Sequence, residues 1–124
     1  MHKKKILAVL EDLLFTVKIS DAAKRSGLDV EFLKSEHDVL EKAGKEKPLL
    51  IILDLNFSGV QPLKLISKLK SSGDLKQISI IGYLSHVQGE LKQQAQEAGA
   101  NIVMARSAFS QNLQQILKRH SGVV

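Results

Sequence analysis

The stretch Leu49-Leu50-Ile51-Ile52-Leu53 is five apolar residues without a polar interruption, and it ends at Asp54. A strand with one face in water alternates apolar and polar residues. An unbroken Leu/Ile run of strand length therefore predicts a strand covered on both faces, which is the habit of a central strand in a parallel sheet. Four further runs of similar length, Ile6–Leu10, Val30–Leu33, Ile78–Leu84 and Ile102–Ala105, are rich in Ile, Val and Leu and read as its neighbours.

Helical patterns fill the intervals. Phe15, Ile19 and Ala22 mark the first, Val39, Leu40 and Ala43 the second, and Leu65, Ile66 and Leu69 the third. Pro62 opens the third, where its fixed φ and missing N–H do no harm. Val87, Leu91, Ala95 and Ala98 line one face of the fourth, and Phe109, Leu113, Ile116 and Leu117 one face of the fifth. Ser107 is the expected N-cap of the fifth. Gly27, Gly44, Gly73 and Gly99 fall where helices are expected to end. The order is strand then helix, five times over. That predicts an α/β fold with a parallel sheet, right-handed crossovers and helices on both faces. Gly82 and Tyr83 interrupt the fourth strand, the glycine as a mark of close packing.

Other classes are set aside by composition. The chain has 124 residues and no cysteine, with 44% apolar and 25% charged residues. One ordinary domain over residues 1–124 fits that length, and disulfide scaffolds, thiol nucleophiles and cysteine-based zinc sites do not fit at all. The apolar run after Lys3-Lys4-Lys5 is stopped by Glu11 and Asp12, too short for a secretory signal. No segment reaches membrane-spanning length, so a cytoplasmic protein is expected. Eighteen basic against thirteen acidic residues give a net charge of +5. Lysines are spread along the chain and aromatics are only 4%, which describes a solvated basic surface and makes nucleic acid an unlikely partner. No glycine-rich loop follows the first strand, and no nucleophile elbow, zinc helix or serine-histidine-acid set appears.

Open parallel sheets bind ligands beyond the carboxyl ends of their strands, where strand order reverses. The residues just past each run are therefore the candidates: Glu11 and Asp12, then Asp54 and Asn56, then Ser85 and His86, then Arg106 and Ser107. Carboxylates gathered on one rim suit a hard cation such as Mg²⁺, and a hydroxyl with a guanidinium suits a phosphoryl group. Asp12 is equally well read as an N-cap of the first helix, and Arg106 as a cover for apolar surface. His86 is read as an exposed loop residue; His2, His37 and His120 carry no pattern.

This constellation resembles the receiver domain of bacterial response regulators over about residues 4–119. Lys5-Ile6-Leu7-Ala8-Val9 is similar to the first strand. Asp54 resembles the phospho-acceptor aspartate, and Asn56 falls where a backbone carbonyl completes the metal site. Ser85 takes the place of the Thr/Ser that contacts the phosphoryl group, and Arg106 that of the family's invariant-type lysine. The resemblance implies a (βα)5 flavodoxin-like sandwich with strand order 2-1-3-4-5. It implies phosphoryl transfer to Asp54 from a histidine kinase, a phosphotransfer protein or a small donor, with Mg²⁺ on Glu11, Asp12, Asp54 and Asn56. It further implies a signalling module rather than an enzyme, monomeric or weakly dimeric, with output through the face formed by helix four, strand five and helix five.

Several positions depart from the family pattern. Leu10 stands where the first acid of a pair is usual, leaving Glu11 with Asp12 as a substitute. Arg106 replaces lysine, Ser107 the following proline, Val103 the switch aromatic of strand five, and Phe57-Ser58 the turn Met-Pro. An arginine's planar fork is not equivalent to an ammonium. These departures keep a second expectation open, a pseudo-receiver that binds or scaffolds partners without phosphorylation.

Overall fold

The computed structural model describes residues 4–85 and 89–121. His86 and Val87, one expected on the rim and the other on the fourth helix, lie outside the described residues, as does the tail beyond Ser121. The elements are β1 (Lys4–Val9), α1 (Leu13–Arg25), β2 (Leu28–Leu33), α2 (Glu36–Glu46), β3 (Leu50–Asp54), α3 (Pro62–Ser71), β4 (Ser79–Leu84), α4 (Gly89–Ala98), β5 (Ile102–Ala105) and α5 (Arg106–Ser121). The strands pair in parallel in the order β2-β1-β3-β4-β5. This is the flavodoxin-like order, with its reversal between β1 and β3.

Strand parity divides the core into two layers. Ile51 and Leu53 of β3 face one way, with Leu7 and Val9 of β1, and meet Val39 and Ala43 of α2, Leu65, Ile66 and Leu69 of α3 and Ala95 of α4. Leu50 and Ile52 face the other way, with Ile6 and Ala8, and meet Phe15 and Ile19 of α1 and Phe109, Leu113 and Leu117 of α5. All four β3 residues Leu50–Leu53 are fully buried, which is why no polar residue interrupts that run.

Two boundaries differ from the sequence expectation. Gly44 lies inside α2, which runs on to Glu46; the chain turns instead at Lys47, whose φ of 50° is left-handed and whose N–H donates to the carbonyl of Ala43. Ser107 is not a cap, because β5 passes directly into α5 at Arg106. Gly73 falls at the expected end of α3, directly after its cap Ser72, whose backbone is extended. Gly99 does take positive φ, at 124° just after α4, and Gly27 at 69° just after α1.

Gly82 has a specific cause. A Cβ there would lie 3.0 Å from the Leu55 side chain. Leu55 follows Asp54 and its N–H donates to the carbonyl of Tyr83 at 2.9 Å. The glycine lets the chain leaving β3 stay pressed against β4, and so fixes where Asp54 sits. Tyr83 does not interrupt β4 at all: it is 1% exposed and part of the core.

Candidate functional site

Asp54 is the last residue of β3. Its parity is that of Ile52, so its carboxylate emerges on the α1/α5 side of the sheet, half-buried. The following turn is built around it. The Asn56 N–H donates to Asp54 Oδ1 at 2.9 Å, and the Phe57 N–H donates to the Asp54 carbonyl at 3.1 Å. Asn56 Oδ1 in turn accepts from the Ser85 N–H at 2.8 Å, tying the β3–α3 turn to the end of β4. Burial holds the Asp54 carboxyl above the ordinary carboxylate range. The Asn56 N–H and the Arg106 cation oppose that shift, and the nearby negative charge of Asp12 adds to it.

Asp12 caps α1. Its Oδ1 accepts from the Phe15 N–H at 3.2 Å, and its carbonyl accepts from the Thr16 N–H and hydroxyl, both at 2.9 Å. Its other oxygen, Oδ2, accepts a charge-assisted bond from Nη2 of Arg106. The Phe15 N–H, and after it Arg106, hold the Asp12 carboxyl below its usual value. The same guanidinium lies 4.8 Å over the ring of Phe15, a cation–π arrangement. Asp12 therefore has two partners already, where the sequence left cap and metal ligand as alternatives.

Beneath Arg106 lies an aromatic cluster. Phe15 is tilted against Tyr83 at 4.9 Å and against Phe109 at 5.7 Å, and Tyr83 stacks on Phe109 at 5.3 Å. Tyr83 is the register partner of Asp54 on β4, so both side chains leave the same face of the sheet. The Tyr83 hydroxyl is buried and has no hydrogen-bond partner among the described residues. Burial pushes its pKa up, and the negative charge of Asp54 adds to the effect. The sequence placed Tyr83 only as an interruption of the fourth strand, not at the site; the signal available was its alternation with Ile81 and its status as the chain's one tyrosine.

The expected site residues fall into two neighbouring hollows. One, of about 360 Å³, is lined by Glu11, Asp12, Asp54, Asn56, Phe57 and Ser58. The other, of about 500 Å³, runs between α1 and α5 and is lined by Leu14, Phe15, Lys18, Ser85, Arg106 and Ser107 among others. The Asp12–Arg106 ion pair joins them. Leu10, standing where the family has an acid, is 1% exposed and packs in the α1/α5 core. Among the described residues no group of three or more His, Cys, Asp and Glu is arranged to hold a metal ion. With Asp12 engaged by Arg106 and Asn56 Oδ1 by the Ser85 N–H, the oxygens left to the acidic hollow include the carboxylates of Asp54 and Glu11 and the backbone carbonyl of Asn56. That set fits Mg²⁺ in its usual manner, through one or two carboxylates and retained waters, and does not form a three-carboxylate cage.

The family model described as the response regulator receiver domain matches residues 6–118. No curated protein sequence matches the chain. Among solved structures, a response regulator from Hahella chejuensis is 21% identical with a TM-score of 0.87, over 98% of this chain and 97% of that one. The phosphorylated cyanobacterial phytochrome response regulator RcpA is 22% identical with a TM-score of 0.80, over 95% and 91%. The Mn²⁺-bound form of response regulator Rcp1 is 19% identical with a TM-score of 0.75, over 97% and 93%.

Proposed function

Since this chain belongs to the response regulator receiver domain family, a family of signalling modules, we propose that it acts in two-component signalling as a single receiver domain over residues 1–124 that takes a phosphoryl group on Asp54. The observation that carries this reading is the setting of Asp54: a half-buried carboxylate at the end of the central strand, beside the β1/β3 reversal, steadied by the Asn56 N–H.

The reaction is a displacement at phosphorus. A carboxylate oxygen of Asp54 attacks the phosphorus of a phosphohistidine on a histidine kinase or phosphotransfer protein, or of a small acyl phosphate. A new P–O bond forms and the donor's P–N or P–O bond breaks. The electron pair leaves with the donor atom, and a histidine donor recovers its neutrality by taking a proton. The protein's contribution is placement and charge. The Asn56 N–H orients the carboxylate, the Ser85 hydroxyl is within the same rim, and Arg106 supplies a cation beside the incoming phosphoryl oxygens. The residues that would hold Mg²⁺ are Glu11, Asp54 and the Asn56 carbonyl, and the metal would offset the negative charge gathered there. Two of the structural relatives are described as phosphorylated and as Mn²⁺-bound, which supports this assignment.

Incubation with acetyl phosphate and Mg²⁺, read by intact mass, is expected to add one phosphoryl group to the wild-type chain and none to Asp54→Asn. Equal incorporation by both proteins, or none by either under saturating donor, would sink the reading. One observation favours a second reading. Arg106 is already paired with Asp12, so the cation meant for a phosphoryl group has another partner. A pseudo-receiver of this kind would bind its protein partner equally well as wild type and as the Asp54→Asn variant, whether or not donor is present.

A further inference from the structure

From the way the rim is wired, we propose that a change of state at Asp54 is passed to α1, through Arg106 and Tyr83, and not to α4 through β5. This rests on the reading that Asp54 carries a phosphoryl group.

The first ground is parity. Asp54 and Tyr83 are register partners and share the parity of Ile52 and Ile81, on the α1/α5 side of the sheet, and Arg106, the first residue of α5, reaches Asp12 and Phe15 on that same side. Among the described residues, the opposite layer beside β5 holds aliphatic side chains, Leu84, Val103 and Ala95, and none has a polar atom or ring to register a new charge. Val103 occupies the β5 position and is buried in that layer.

The second ground is the contact chain on the near side. Arg106 holds the N-cap of α1 through Asp12 and covers the ring of Phe15 in the first turn of α1. Phe15 rests on Tyr83, and Tyr83 on Phe109. A dianionic phosphoryl group on Asp54 is a stronger partner for a guanidinium than one carboxylate. On this proposal Arg106 turns from Asp12 towards it, and the start of α1 loses both its ion pair and the cation over Phe15.

The third ground is the Tyr83 hydroxyl. A buried donor without an acceptor is rare in folded proteins. Here it lies on the same face as Asp54, next to it in register, and a phosphoryl group would bring acceptor oxygens to that side. Tyr83 is thus a positioning residue, linking Asp54 to the aromatic stack under α1 and α5.

What moves as a result is the outer face of α1. Leu13 and Leu14, each 78% exposed, lie in the turn that Asp12 caps, and Val17, 59% exposed, starts the next.

The test is amide hydrogen exchange and amide NMR on the full chain, with and without beryllofluoride and Mg²⁺. Engagement of Asp54 is expected to speed exchange over Leu13–Val17 by about threefold or more, the scale of losing a charged partner at a helix start, and to shift the amides of α1 and the start of α5. Asp12→Asn keeps a side-chain oxygen for the cap but removes the charge; it is expected to show part of that faster exchange without beryllofluoride. Tyr83→Phe, which keeps the stack, is expected to bind beryllofluoride with smaller shifts in α1. Responses at Asp54 with changes confined to α4 and β5 would overturn the proposal and leave the phosphorylation reading standing. So would an Asp12→Asn protein whose α1 exchanges as wild type. Absence of any response at Asp54 would overturn both.

Discussion

Asp54 and Asp12 are carboxylates on one rim with opposite electrostatic fortunes. Burial raises the pKa of Asp54, whereas the helix-start N–H and Arg106 lower that of Asp12. A raised carboxylate pKa means the folded state holds its proton more tightly than the unfolded chain. Its ionised form therefore weakens folding once pH has risen through the folded value, and the penalty disappears below the ordinary value. Asp54→Asn is expected to be more stable than wild type at neutral pH, with the gap closing as pH falls through the carboxylate range. Urea unfolding at a series of pH values measures it, and an unchanging gap would contradict the assignment. Asp12 has the reverse sign: its contribution is present above the ordinary carboxylate pKa and lost as pH falls below it. On the proposed reading, the burial that makes ionised Asp54 costly to fold would also leave its oxygen more basic for attack on phosphorus.

At the scale of elements, α1 is secured at its start by a residue outside it, Asp12. It has no acidic residue in its first turn, so Asp12 supplies the cap and the negative charge that the helix dipole favours. Asp12→Ala is expected to cost about 1 kcal/mol, read as a shift in the urea midpoint at constant slope. Arg106→Ala is expected to cost less, because the pair is about one-third exposed and water screens it. Equal losses in the two variants would show that the ion pair, and not the cap, holds the helix start. The β3–α3 turn shows the same economy of means. Gly82, Leu55 and Asn56 fix it from three directions, and Asp54 is held as a by-product of that packing.

For the molecule as a whole, stability rests on the two-layer burial of β3. Ile52 is fully buried among Ile6, Ala8, Phe15, Tyr83 and Phe109 on the α1/α5 side. Ile52→Ala is expected to cost about 2–5 kcal/mol through lost burial and the cavity left behind. That is a large share of the roughly 5–15 kcal/mol typical of a domain. Thermal unfolding followed by circular dichroism checks it; a loss below about 1 kcal/mol would mean the layers can close over the gap. No helix among the described residues is long and apolar enough to cross a membrane.

The chain's own residues determined the element order, the central place of β3 and the position of Asp54 at its end, because burial on both faces writes itself directly into an unbroken apolar run. Glu11, Asn56, Ser85 and Arg106 were also legible, as residues one or two steps past the ends of their strands. Only the tertiary structure decided what these residues touch. Asp12 and Arg106 meet across most of the chain's length, Asn56 reaches the N–H of Ser85, and Tyr83 turns its hydroxyl inward beside Asp54. Such pairings depend on strand register and on side chains from distant segments, and no local pattern of hydrophobicity or spacing encodes them. The cap at Lys47 escaped the sequence for a related reason: a left-handed lysine is held by the helix and the following strand, where a glycine would have announced the turn by itself.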